Sequence, residues 1–251
     1  MVQRAAVEAL NIGHRGGAGL EPENTLRSFR RATAEGSDAV ELDLRLTRDE
    51  RLVVLHDATV NRTTDGSGSV AEMTLDELKR LDAGVGERVP TFEQVLEITD
   101  LPIYAELKVV EAAGPLAAFI RERGLAELVI PISFQPEALR RIKQSLPDLR
   151  VGFLVRSGAS SVPIRALGVG ATLVLPKAAY VNASLVESCR RVDLRVAAWT
   201  VNEPEEMRRM IRLEVDGIVT DRPDLLAGLE TYNNLSCPYP DNQISSRLED
   251  R

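Results

Sequence analysis

The chain has 251 residues, of which 44% are hydrophobic and 27% charged, and its 31 Lys and Arg against 38 Asp and Glu leave a net charge of −7. Those values exclude collagen-like, low-complexity and wholly disordered classes and leave room for one large domain with a sizeable core. An acidic surface argues against general affinity for nucleic acid or anionic membrane, so any anionic substrate has to be held by local cations.

The opening segment, MVQRAAVEALNIGHRG, has no secretory apolar region, and no stretch approaches the roughly 18 apolar residues of a membrane span, which predicts a cytoplasmic protein with no membrane anchor. Short β-type runs then alternate with helical patterns. Strands are expected at 10–14, 39–44, 103–108, 128–133, 150–155, 172–175, 196–201 and 217–220. Eight strands with interleaved helices predict an α/β chain folded as a (β/α)8 barrel, which typically takes ~250 residues, better than an open sheet of five or six strands. Helix starts are marked by capping boxes at Thr74–Glu77 and Thr91–Gln94 and by Pro136, Pro204 and Pro223 at first helical positions. The repeat is broken once: 51–56 reads as an extra strand, and 57–90 as an insertion in the second βα segment with turns at 65–68 and a short helix. A single barrel domain is therefore expected over 1–230, followed by a polar tail over 231–251. Cys189 and Cys237 make neither a disulfide framework nor a metal-ligand spacing.

Four blocks carry chemistry. In Gly13-His-Arg-Gly-Gly-Ala-Gly19 a dinucleotide fingerprint fails because Pro22 stands where its third glycine is needed. What remains is a loop presenting His14, which titrates near neutrality, beside Arg15, whose planar fork suits phosphate oxygens. In Val40-Glu-Leu-Asp-Leu-Arg45, Glu41 and Asp43 share one strand face and Val40, Leu42 and Leu44 the other, which points both carboxylates into the barrel. Glu106 and Lys108 repeat that logic on the next expected strand. Three carboxylates from two neighbouring strands suit one hard divalent cation, Mg²⁺ or Ca²⁺, more than zinc. The only two histidines, His14 and His56, both fall at expected strand ends beside these carboxylates. Trp199 reads either as a pocket wall or as core. Phe134 and Lys177 read as structural or solvated, and Asp221 as a charge favouring the last helix N-terminus.

Taken together, His14-Arg-Gly, Glu21-Pro-Glu-Asn-Thr25, Glu41-Leu-Asp43, His56-Asp57, Arg62-Thr-Thr-Asp-Gly66, Glu106-Leu-Lys108, Trp199-Thr-Val-Asn202 and Asp216-Gly-Ile-Val-Thr-Asp221 resemble, in order, the motifs of glycerophosphodiester phosphodiesterases across residues 11–229. The resemblance implies a barrel with a small insertion after strand two. It further implies a divalent cation on Glu41, Asp43 and Glu106, His14 and His56 as acid and base, and phosphate held by Arg15 and Lys108. The implied reaction is metal-dependent hydrolysis of a small glycerophosphodiester to glycerol 3-phosphate and an alcohol, with Trp199 against the substrate. A lysophospholipase D activity is the alternative, although nothing resembles a membrane helix or basic amphipathic anchor. A glycosidase barrel would use the paired carboxylates but give no role to two histidines and Arg15.

Overall fold

Period-two alternation divides each strand between two apolar environments, and that division organises the computed structural model, which describes residues 9–156 and 159–235. In chain order the strands are β1 (Leu10–Gly13), β2 (Ala39–Leu46), β3 (Leu52–Val54), β4 (Ile103–Leu107), β5 (Val129–Ser133), β6 (Gly152–Val155), β7 (Leu173–Pro176), β8 (Arg195–Ala198) and β9 (Gly217–Thr220). Among the described residues all but β3 pair in parallel, and β1 bonds to both β9 and β2, so the sheet closes on itself as a TIM barrel. β3 is antiparallel to the end of β2. It is shorter than the expected 51–56 because only Leu52–Val54 pair with Leu44–Leu46, and this leaves His56 in the loop that follows.

Val40, Leu42 and Leu44 on β2 face outward into a cluster shared with the surrounding helices, including Phe29 and Val95. Each such burial contributes about 1.5–3 kcal/mol. Ile12, Tyr104, Ile130, Ile132, Leu154, Leu173, Leu175 and Val219 fill the barrel interior as a separate cluster. The insertion has its own small core of Val53, Leu55, Val60, Val70, Leu75, Leu78 and Val89. Both expected capping boxes form, with Thr74 and Thr91 each accepting from the backbone of the residue three positions on. Pro136, Pro204 and Pro223 open their helices. The last helix, Pro223–Leu235, runs into the stretch expected to be tail, while residues 236–251, including Cys237, lie outside the described residues. Among the described residues no helix is long and apolar enough to cross a membrane.

The turn after β1 is built tightly. A Cβ on Gly13 would stand 2.6 Å from the Gly16 carbonyl oxygen and 2.9 Å from Ala32 Cβ. Gly16 has φ +81°, a conformation that glycine adopts freely. Gly114, in the helix Ala113–Arg123, would instead point a Cβ into open space. Gly13→Ala is therefore expected to cost about 1–3 kcal/mol, whereas Gly114→Ala should stabilise by roughly 0.5–1 kcal/mol. Thermal melts of the two variants check both signs: Tm should fall by roughly 3–10 °C in the first and rise slightly in the second.

Candidate active site

At the C-terminal end of the barrel the inward-facing positions change from apolar to charged. Glu41 and Asp43 follow Ala39 on β2, Glu106 follows Tyr104 on β4, and His14 follows Ile12 on β1. Asp43 and Glu106 are directly opposed in the β2–β4 ladder, where like charges are destabilising unless something lies between them. Oxygens of Glu41, Asp43 and Glu106 lie within 4.8 Å of one another, and all three side chains are buried. Ligand oxygens around Mg²⁺ or Ca²⁺, at about 2.0–2.6 Å from the ion, span no more than ~5 Å, so the three fit a hard cation. Asp43 Oδ1 is buried and accepts no hydrogen bond, although Lys108 Nζ stands 3.2 Å away, which is the condition of a ligand atom awaiting a partner.

The cluster is held on every side. Asn24, buried with φ +58°, donates from Nδ2 to Asp43 Oδ2 at 2.8 Å. Arg15 gives its backbone N–H to Glu41 Oε2 at 3.0 Å, while its guanidinium meets Glu23 at 2.8 Å and Asp43 at 3.3 Å. Lys108 Nζ donates to Glu106 Oε1 at 2.8 Å. Burial foremost, then repulsion from Asp43, pushes Glu41 up to about 8 and raises Glu106. Burial acts on Asp43 in the same direction, but the charges of Lys108 and Arg15 overcome it and hold Asp43 below the usual carboxylate range.

Each histidine is anchored through Nδ1 to an aspartate, which leaves Nε2 for the pocket. His14 Nδ1 donates to Asp221 Oδ1 at 2.6 Å, and His56 Nδ1 to Asp57 Oδ1 at 2.6 Å. Burial works against a charged His14, yet the Asp221 hydrogen bond and the charge of Glu41 outweigh it and raise its pKa. At His56 burial prevails over Asp43 and Asp57, and the pKa is lowered. Arg45 on β2 donates twice to the His56 carbonyl oxygen, at 2.7 and 3.0 Å, and so ties the loop to the barrel. Arg62 bridges Asp57 and Glu23, at 2.7 Å to each, which links the supports of His56 and Arg15.

His14, Arg15, Glu41, His56, Glu106, Lys108 and Trp199 line one pocket with an apolar floor of Ile132, Leu154, Leu175 and Val219, and Asp43 lies buried among its carboxylate neighbours. Every residue singled out from the sequence for catalysis, phosphate, substrate or metal thus falls in one place. Trp199 is a wall: Nε1 donates to the Leu175 carbonyl at 2.7 Å, and the ring meets Phe134 edge-on with centroids 5.4 Å apart. Phe134, expected to be structural or solvated, therefore belongs to the pocket. Asp221, expected to serve the last helix, instead turns inward in phase with Val219 and receives His14 and Asn202. Asp224 occupies the first turn of that helix. Glu23 and Asn24 stood in the Glu21-Pro-Glu-Asn-Thr25 motif without roles of their own, and Arg156 was passed over. Period-two phase from Leu154 was the available signal for Arg156.

Residues 14–225 match the model of the glycerophosphoryl diester phosphodiesterase family. A glycerophosphodiester phosphodiesterase of Caldanaerobacter subterraneus subsp. tengcongensis is 39% identical over 238 residues, covering 89% of this chain and 98% of its own. The structure of a phosphodiesterase from Oleispira antarctica, in complex with the product sn-glycerol-3-phosphate, superposes with a TM-score of 0.81 at 27% identity, covering 88% of this chain and 96% of that one. A glycerophosphodiester phosphodiesterase from Agrobacterium tumefaciens gives 0.78 at 29% identity, covering 86% and 98%.

Three mutually repelling buried carboxylates make the metal-free site costly, and a cation that binds only the folded state stabilises by mass action. At 100-fold excess over Kd the gain is ~2.7 kcal/mol, or roughly 5–10 °C in Tm. Burial and the charge of Asp43 hold Glu41 above the usual carboxylate range while no cation is bound, so the neutral side chain of Glu41→Gln costs little there. In chelator the variant should therefore melt no lower than the parent, while losing most of the rise that Mg²⁺ or Ca²⁺ produces. A calorimetric scan of both proteins with and without metal checks the two signs together.

Proposed function

Because the chain belongs to the glycerophosphoryl diester phosphodiesterase family, we propose that it hydrolyses glycerophosphodiesters to glycerol 3-phosphate and an alcohol, with one Mg²⁺ or Ca²⁺ on Glu41, Asp43 and Glu106. The observation that carries this reading is the meeting of two aspartate-anchored histidines with a carboxylate cluster in one pocket that also holds Arg15 and Lys108. The product bound in the Oleispira antarctica relative supports the choice of glycerol phosphate as the retained moiety. When bound, the cation supplies Lewis-acid neutralisation of charge on the phosphate oxygens.

The chain's own residues then do the following. Arg15 and Lys108, shared with carboxylates at 2.8–3.3 Å, bind the remaining phosphate oxygens. Their positive charge grows in value as negative charge builds in the transition state. One histidine removes the proton of the attacking hydroxyl through Nε2, and the other protonates the departing alkoxide. Asp221 and Asp57 fix the ring orientation that this exchange needs. Among the described residues no Ser or Cys lines the pocket, so a covalent enzyme intermediate has no candidate nucleophile among them. The hydroxyl next to the phosphoester of glycerol is already held close, and its attack on phosphorus displaces the alcohol and closes a cyclic phosphate, which water then opens. Trp199 offers a flat wall against which the glycerol carbons pack.

His14→Ala and His56→Ala should each lower kcat by roughly 10²–10⁴ with the fold intact, and the double variant should be little worse than either, because the two act as a unit. Asp221→Asn should fall mainly in kcat, since it disturbs ring orientation more than binding. Steady-state kinetics beside circular dichroism checks this, and unchanged turnover in both single variants would remove the histidine assignment. Separately, an analogue with hydrogen in place of the neighbouring glycerol hydroxyl should be cleaved at least ~10²-fold more slowly, given the effective molarities of held nucleophiles. Equal rates, measured by phosphorus NMR, would leave direct attack by water as the route.

A further inference from the structure

The catalytic half of the pocket leaves the departing alcohol unspecified, and the opposite half of the barrel mouth bears on it. Phe134, Arg156, Lys177 and Trp199 each lie two residues beyond an inward-facing apolar residue: Ile132, Leu154, Leu175 and Ala197, on β5, β6, β7 and β8. The Arg156 guanidinium is stacked 4.1 Å from the Phe134 ring centroid and 5.9 Å from that of Trp199, and it lines the pocket. Among the described residues neither Arg156 nor Lys177 has a carboxylate within ion-pair distance. The sequence gives a reason: from Arg156 to Val186 the chain contains no Asp or Glu, although acids exceed bases overall. The catalytic half of the mouth is crowded with paired charges, whereas this half lines the pocket with the exposed Arg156 and two aromatic rings.

An aromatic pair at a pocket could hold a quaternary ammonium group by cation–π attraction. Here that role is taken, because Arg156 already covers the Phe134 face and Trp199 packs edge-on against it. A positively charged alcohol would meet a fixed cation, and a negatively charged one would meet a planar fork of donors without a partner. Resting on the phosphodiesterase reading, we propose that Arg156 is a specificity residue for the departing alcohol. It favours an alcohol that carries an anionic group, a phosphate ester or a carboxylate, over one that carries a quaternary ammonium. Arg156 is exposed where Phe134 and Trp199 are half-buried, which places it beside the outer, variable part of the substrate rather than beside the glycerol.

The test compares kcat/KM for bis(glycerophospho)glycerol, whose departing alcohol carries a second phosphodiester anion, with that for glycerophosphocholine. The parent should favour the first by roughly tenfold, Arg156→Lys should keep part of the preference, and Arg156→Glu should abolish or reverse it. Fluorescence of Trp199, the sole tryptophan, gives Kd values for the same two diesters in chelator, independent of turnover. Turnover of both diesters at a ratio that Arg156→Glu alters by less than twofold overturns the inference while leaving the phosphodiesterase reading intact. An Arg156-dependent order of Kd without turnover does the reverse. Neither turnover nor an Arg156-dependent Kd overturns both.

Discussion

The placement of Asp43 directly across from Glu106, with Glu41 one inward position below, is the constraint around which the rest of the mouth is arranged. Carboxylates removed from water and set side by side cost several kcal/mol each unless they are compensated. Compensation comes from the tight loop after β1, which brings Arg15 and Asn24 down onto the cluster, and from Lys108 at the end of β4. That loop needs Gly13 and Gly16 for its close approach and holds Arg15 and Asn24 at positive φ. Backbone strain of this kind persists only where the surroundings over-determine it, as the Arg15 and Asn24 contacts to Glu41 and Asp43 do here. The cations that neutralise the cluster are also the groups proposed to meet a phosphate, so on that reading one arrangement serves both the stability of the fold and its chemistry.

The barrel separates these tasks by depth. Its lower interior is apolar, with Tyr104, Ile130, Leu154 and Leu173 filling the space, and charge begins one inward position above. A charged layer over an apolar floor lies in a lower dielectric than open solvent, which strengthens each ion pair around the substrate. The insertion adds what the barrel strands do not supply. Its separate core presents His56 and Asp57 over the β2 end of the pocket, and Arg62 stitches Asp57 to Glu23 on the β1 loop. The hydrogen bond from Arg62, foremost, holds Asp57 well below the usual carboxylate range, so Asp57 is an acceptor for His56 across the working pH range.

Much of this was legible in the residues, and the omissions share a cause. Glu41, Asp43, Glu106 and Lys108 could be paired from the sequence because each has a companion two positions away, which the strand period places on the same face. His14 and His56 were found because histidine is scarce in the chain. Asp221, Phe134 and Arg156 have companions only in space: Asp221 meets His14 across 207 positions, and Arg156 meets Phe134 on a neighbouring strand. Local signals then favoured a duller reading, since an acid just before Pro223 does suit a helix start. Extending the inward phase of every strand by one step past its last apolar residue recovers all three, because the mouth of a closed barrel is lined in that register.

The Asp221 contact also ties the site to closure of the barrel. β1 and β9 are the first and last strands, and they are riveted at their active ends: His14 N–H bonds to the Thr220 carbonyl at 2.8 Å, Gly19 N–H to the Asp221 carbonyl at 2.9 Å, and His14 Nδ1 to the Asp221 side chain. Lower on β1, the buried Asn11 donates from Nδ2 to the Pro223 carbonyl at 2.9 Å, which fixes where the last helix begins. His14 is therefore oriented only once the final βα unit has docked, whereas the carboxylate cluster is assembled from β2 and β4, which are adjacent in the sheet. Contacts of such long sequence separation form against a large loop-closure cost. The two halves of the machinery thus have different folding requirements. The carboxylate cluster depends on a neighbouring strand pair, while the His14–Asp221 pair depends on a closed ring.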